Sequence, residues 1–148
     1  MAPVIAQFQK IKNVTVKILA QNPAYKIFIS DPRLRNEYIV EVEDVDPTLL
    51  PEMVFSAVKN FQPDGVLCGV SGPGNGVDEC LLKTAHDVGL RRFAFQDYWG
   101  YINPVTTHYH DVIFVVDKHA KELTNVRTFA SVEIVGNPKY DCYKDLNI

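Results

Sequence analysis

Three features of the sequence predict an α/β fold: a single Rossmann-like domain with a mostly parallel sheet and helices on both faces. Runs of strand length alternate with segments of helical periodicity, the pattern of a parallel sheet wrapped by crossover helices. The central runs (VLCGV at 66–70, FAF at 93–95, VIFVV at 112–116) are apolar at successive positions, as strands buried on both faces require. Gly, Pro and Asn/Asp-Pro pairs punctuate the junctions. At 148 residues the chain has the size of one domain, 1–148. Such a chain buries roughly two thirds of its unfolded surface and needs no staples.

The elements follow in order. Val4, Ile5, Phe8 and Ile11 recur at helical spacing after Pro3, and Asn13 ends that helix. Residues 14–20 (VTVKILA) alternate and are β-branched, which predicts a strand. Asn22-Pro23 breaks it, and 24–29 (AYKIFI) fits either a strand or a helical turn, the latter favoured. After Asp31-Pro32, residues 38–43 (YIVEVE) show period two. A helix is expected from Asp46-Pro47 to about Asn60, with Val54, Phe55 and Val58 on its apolar face. A turn at 62–65 launches the strand at 66–70. The glycine-rich segment 71–76 then leads into a helix over 77–88 closed by Gly89. Strands at 93–95 and 112–116 follow, then a helix capped by Asp117 running to Leu123. The strand at 132–135 ends at Gly136-Asn137-Pro138.

Composition narrows the function. A net charge of −3, with Lys and Arg scattered, leaves no electrostatic footprint for nucleic acid or an anionic membrane. No run approaches the roughly 20 apolar residues of a membrane span. Three cysteines, none in a CxxC spacing, are the usage of a reducing compartment, so a cytoplasmic protein is expected, with Cys68 a buried thiol.

In a parallel sheet, ligands bind outside the carboxyl ends of the strands. That rule gathers the loops 71–76, 96–103, 117–119 and 136–138 into one edge. Ser71, Gly72, Gly74, Asn75 and Gly76 form a turn whose backbone N–H groups face a helix start. They match neither the P-loop nor the dinucleotide spacing, and they either cradle a ligand or form a tight connection. Asp78 and Glu79 complement the helix dipole there and repel a second anion. Gln96, Asp97, Tyr98 and Trp99 hold the only tryptophan beside a carboxylate. Aromatics there suit stacking on a sugar or base, with Asp97 as hydroxyl ligand or general base; packing under the loop is the alternative. Asp117, His119, Gly136 and Asn137 complete the edge. His108 and His110 are expected to be solvated and His86 exposed, with no metal and no cofactor.

The segments QPDGVLCGVSGPGNGVDECLLKTAHDVGL, RRFAFQDYWGYINP, DVIFVVDKHAKEL and VEIVGNPKYD, together residues 61–142, resemble a known family in their order. They are similar to the N-terminal Rossmann-like half of GT-B-type glycosyltransferases and UDP-N-acetylglucosamine 2-epimerase-like proteins. The correspondence rests on Pro63-Asp64, Asp97 with Trp99, Asp117, Ala120 and Leu123, and Val135, Gly136, Pro138 and Asp141. The resemblance implies the acceptor-side half of a sugar-nucleotide-dependent enzyme, whose donor sits mainly on a second domain or subunit. It implies a central strand before the first helix, which a homo- or hetero-oligomeric partner is expected to supply. A non-catalytic metabolite- or protein-binding module that kept the fold is the other reading.

Overall fold

The computed structural model describes residues 1–42, 48–69 and 74–143. Its elements are α1 (Ala2–Phe8), β1 (Ile18–Ala20), α2 (Ala24–Ile29), β2 (Ile39–Glu41), α3 (Leu50–Phe61) and β3 (Gly65–Gly69). They continue with α4 (Val77–Asp87), β4 (Arg91–Phe95), β5 (Val112–Val115), α5 (Lys118–Asn125) and β6 (Ser131–Ile134). Every described strand pair is parallel: β1 with β2 in one sheet, and β3-β4-β5-β6 in the other. The α/β class with parallel strands is therefore the one the sequence predicts. The chain forms two compact units, one of residues 1–45 with 138–148 and one of residues 46–137.

In the first unit, Ile5, Ala6, Ile18, Ala20 and Leu34 form a small core, with Val16, Tyr25, Phe28 and Ile39 packed against it. Helix α1 stops at Phe8, short of the expected Ile11, which is exposed. The chain turns there through Asn13, whose φ of 72° is incompatible with continuing the helix. Strand β1 keeps only the last three residues of the expected 14–20. A strand persists where a ladder satisfies its backbone, and β2 offers partners only for Ile18, Leu19 and Ala20, plus the bond from Val42 N–H to Ala20 O. Residues 24–29 form a helix, the favoured of the two expectations.

The second unit carries the larger sheet. Helix α3 begins at Leu50 with Pro51 in its first turn; the expected start at Asp46-Pro47 lies outside the described residues. Its buried stripe is Leu50, Val54 and Val58, whereas Phe55 is exposed, and the helix packs on α4. Gly89 has φ of 76° just past α4, and the Leu90 N–H donates back to Ala85 O. That left-handed residue ends the helix where the sequence places the stop.

Register sorts the strand residues by face. Cys68 pairs with Ala94, Ala94 with Ile113, and Ile113 with Val132. These are buried almost completely and, with Val115 and Ala120 of α5, belong to one core face. The Cys68 thiol also lies 3.8 Å from Asp78 O in α4, so α4 and α5 cover the same side of the sheet. On the opposite face lie Leu67, Phe93, Phe95 and Phe114, half-buried, with the Phe93 and Phe114 rings stacked at 6.1 Å. No helix among the described residues is long and apolar enough to cross a membrane.

Candidate functional site

Because β3, β4, β5 and β6 are neighbours in sequence order and all parallel, their carboxyl ends lie side by side. The loops that follow them therefore share one edge, and hydrogen bonds tie several together. The Asn103 amide donates to Gly74 O at 2.9 Å, linking the loop after β4 to the turn after β3. The Trp99 indole N–H donates to Asp117 Oδ2 at 3.0 Å, linking the same loop to the end of β5. The Val135 N–H donates to Val115 O, holding the end of β6 alongside.

Asp117 is the N-cap of α5. Its Oδ1 accepts from the Ala120 N–H at 2.7 Å, so one carboxylate serves both the helix start and the indole. The Ala120 N–H, then the Trp99 indole, holds the Asp117 carboxyl below the ordinary carboxylate range against the opposing effect of burial. The His119 ring stands edge-on to Trp99 with centroids 5.7 Å apart. Trp99 nevertheless remains 54% exposed and Tyr98 73% exposed. The structure thus assembles Trp99, Asp117 and His119 into one cluster with an accessible indole.

The other expected residues are placed differently. Asp97 is exposed at the end of β4, and no hydrogen bond or ion pair orients it among the described residues. Gln96 was expected to touch a ligand, but it is 1% exposed and its amide is fully engaged. Nε2 donates to Tyr101 O and Thr124 Oγ1, while Oε1 accepts from Gly100 N–H and Thr124. No group of that amide is left for a ligand. Gly74 and Asn75 are exposed, and Gly76 is the N-cap of α4. Ser71 and Gly72 lie outside the described residues. Gly136, at φ of 78°, and Asn137 are half-buried beyond β6.

The sequence did not point to a second group of residues beneath the edge. Glu79 is buried; its Oε2 accepts the Gly76 N–H at 2.8 Å and its Oε1 accepts from the Asn103 amide at 2.8 Å. Asn103 also accepts from the Val105 N–H. Asp78 turns back toward β3, where Oδ1 accepts the Gly69 N–H at 3.3 Å. Burial first, and the neighbouring Glu79 charge second, raise the Asp78 carboxyl to about 6 although the Gly69 N–H pulls the other way. Both acids sit in the first turn of α4, where they complement the helix dipole as the sequence predicts. Nothing local announces that they face inward.

The histidines divide. His86 is exposed as expected, and its Nδ1 meets the Arg92 guanidinium while its ring lies 5.1 Å from Tyr109. His108 is exposed and stacks on Phe129. His110, expected to be solvated, is instead 8% exposed, with Nδ1 lacking any hydrogen-bond partner. Burial, then the Arg92 charge, lowers its pKa to about 4, outweighing the Thr106 carbonyl and two nearby carboxylates. It is buried because the 102–110 segment folds onto the unit, with Ile102, Asn103 and Thr106 buried as well. Among the described residues no three His, Cys, Asp or Glu side chains are grouped to hold a metal ion.

No protein-family model matches this sequence, and no curated protein and no solved structure matches the chain.

Proposed function

We propose that the strand-end edge binds a sugar or nucleotide ring, as the acceptor-side half of a sugar-nucleotide-dependent glycosyltransferase or epimerase-like enzyme. A second domain or subunit holds the donor in this reading. The observation that carries it is the half-exposed Trp99, fixed through its indole N–H by Asp117 and flanked by the exposed Tyr98 and Asp97. A fixed indole with an open surface stacks against the C–H face of a pyranose or against a base without first losing side-chain freedom. Asp97, a carboxylate with no partner among the described residues, accepts hydrogen bonds from ring hydroxyls. As general base it takes the proton of an attacking acceptor hydroxyl while the nucleotide leaves. A cytoplasmic setting accords with the free, buried Cys68 and Cys80.

One observation favours a second reading, a non-catalytic metabolite- or protein-binding module. The carboxylate that the fold holds in place, Asp117, is engaged at both oxygens, whereas nothing among the described residues orients Asp97. Isothermal titration calorimetry with UDP-N-acetylglucosamine and with free N-acetylglucosamine tests ring binding, a readout that survives replacement of the sole tryptophan. Trp99→Ala should weaken it about tenfold, from a stacking contribution of roughly 1–3 kcal/mol. Unchanged affinity in that variant sinks the stacking surface. Turnover lost in Asp97→Asn with binding retained supports the enzyme; binding without turnover, alone or with co-purified partners, supports the module.

A further inference from the structure

The stretch 96–101 that presents Trp99 is seated on one short helix, α5. Asp117, the N-cap of α5, accepts from the indole. Thr124, in the last turn of α5, is fully buried against the Gln96 amide, which in turn holds the Gly100 N–H and the Tyr101 carbonyl. Arg127, just beyond the helix, donates to Gly100 O at 3.0 Å. Gly100 itself, at φ of 67°, lies so close to the helix that a Cβ there would stand 2.7 Å from Leu123 Cβ. The backbone of residues 100–101 is therefore seated on the carboxyl end of α5, and the indole is tied to its amino end.

We propose that the buried Gln96–Thr124 pair is a positioning element for Trp99, setting the pose of the indole without touching what binds there. The amide orientation follows from its other partners, since Tyr101 O accepts only from Nε2 and the Gly100 N–H donates only to Oε1. Thr124 Oγ1 sits 3.0 Å from one end of the amide and 3.1 Å from the other, so its hydroxyl closes both ends at once. Removing that hydroxyl leaves a buried amide with two open positions. The amide regains them only by turning away from Gly100 and Tyr101, which releases the loop. Asp117 then tethers an indole whose backbone is no longer fixed.

The inference rests on the proposed ring-binding reading only for its affinity arm. Trp99 is the sole tryptophan, so emission, anisotropy and acrylamide quenching of the full chain report its pose with no ligand present. Thr124→Val keeps the shape and removes the hydroxyl, whereas Thr124→Ser keeps the hydroxyl and removes a methyl. A positioning role predicts that Thr124→Val raises the quenching constant about twofold and weakens UDP-N-acetylglucosamine binding about tenfold. Thr124→Ser should retain the wild-type values although its melting temperature falls. Equal behaviour of the two variants, tracking stability rather than the hydroxyl, overturns the proposal. Should Thr124→Val fail to fold, Thr124→Ala, which also removes the hydroxyl from the Gln96 amide, replaces it. That variant should raise quenching measurably, and a wild-type value overturns the proposal. If the wild-type chain binds neither the sugar nucleotide nor the free sugar, the ring-binding reading fails, while the quenching comparison still decides the positioning role.

Discussion

Replacing Asp78 by Asn should stabilise the protein at neutral pH and have no effect in acid. The Asp78 carboxyl sits at the carboxyl end of β3 with its Oδ1 on the Gly69 N–H, and its pKa is raised from 3.8 to about 6 by burial and by Glu79. A folded-state value above the unfolded one means that the native chain binds more protons than the unfolded chain between pH 3.8 and 6. Stability therefore falls as pH rises through that window, and the cost is fully present above it. A shift of this size corresponds to about 3 kcal/mol, and partial exposure of the carboxylate reduces this to roughly 2 kcal/mol. Asparagine retains an acceptor for the Gly69 N–H and removes the charge. Urea denaturation followed by far-UV circular dichroism at pH 8, 6 and 4 should show a gain of about 2 kcal/mol at pH 8, closing by pH 4. A loss of stability, or a gain independent of pH, would refute the reasoning. Any activity found at this edge should be measured in the same variant, because a carboxylate kept at a cost in stability is where function and stability conflict.

The same experiment has a second reading in its slope. His110 shifts the opposite way, from 6.5 to about 4, so the native chain binds fewer protons there and stability is lost as pH falls through that range. In the wild type the two groups offset each other between about pH 4 and 6. In Asp78→Asn only the histidine remains, and the acid limb should steepen by about one proton, near 1.4 kcal/mol per pH unit.

Other outcomes follow from the same geometry. Proton NMR titration of His110 should give a midpoint near 4; a midpoint near 6.5 contradicts its burial. His110→Gln should leave Asp78 unopposed, so that stability rises as pH falls from about 6 to 4. Gly100→Ala should destabilise by about 2–4 kcal/mol, combining a left-handed backbone with overpacking against Leu123. Alanine at 123 would keep the Cβ that stands closest, so Leu123→Gly is the change that removes the obstacle. The double variant should be less destabilised than the sum of the two single changes, and strict additivity argues against the close approach. Asp117→Ala should shift Trp99 emission and fray α5, whereas Asp117→Asn, which keeps an acceptor for the indole, should leave the emission near wild type.

Residue pattern determined the regular parts of this fold for identifiable reasons. The uninterrupted apolar runs do form strands, with one face fully buried and the other half-buried, and Asp117 followed by Ala120 and Leu123 is a cap and a helix face. Element lengths were less legible, because a strand ends where its partner ends: β1 could not outrun β2. The edge was legible as a place, since parallel strands put their carboxyl ends together. Trp99, Asp117 and His119 do meet there. Gln96 was misjudged because a glutamine after a strand looks like a solvent-facing polar residue, and its partner Thr124 lies a full helix away. Asp78 and Glu79 do sit in the first turn of α4 as the sequence predicts, but helix-start acids stabilise the dipole whether they face water or the interior, so their inward contacts are not legible.

The burial of Gln96, Asn103 and Thr106 has one cause in the connection between β4 and β5. A parallel crossover is usually a helix, which satisfies its own backbone and packs through apolar side chains. Here residues 96–111 cross as a series of turns, and irregular backbone in contact with a core needs partners from side chains. Gln96 supplies them to Gly100 and Tyr101, Asn103 to Gly74 and Val105, and Thr106 to the Asn103 carbonyl. Each is buried, and each looks like a surface residue in sequence because polarity alone does not reveal which way a side chain faces. A helical crossover would hold its backbone equally well but would present a regular face. The turn-built crossover instead projects Asp97, Tyr98 and Trp99 outward from a seat of buried amides. The polar interior of this loop and the exposed aromatics at its tip are thus two consequences of the same choice of connection. A change that makes the interior apolar should blunt the tip.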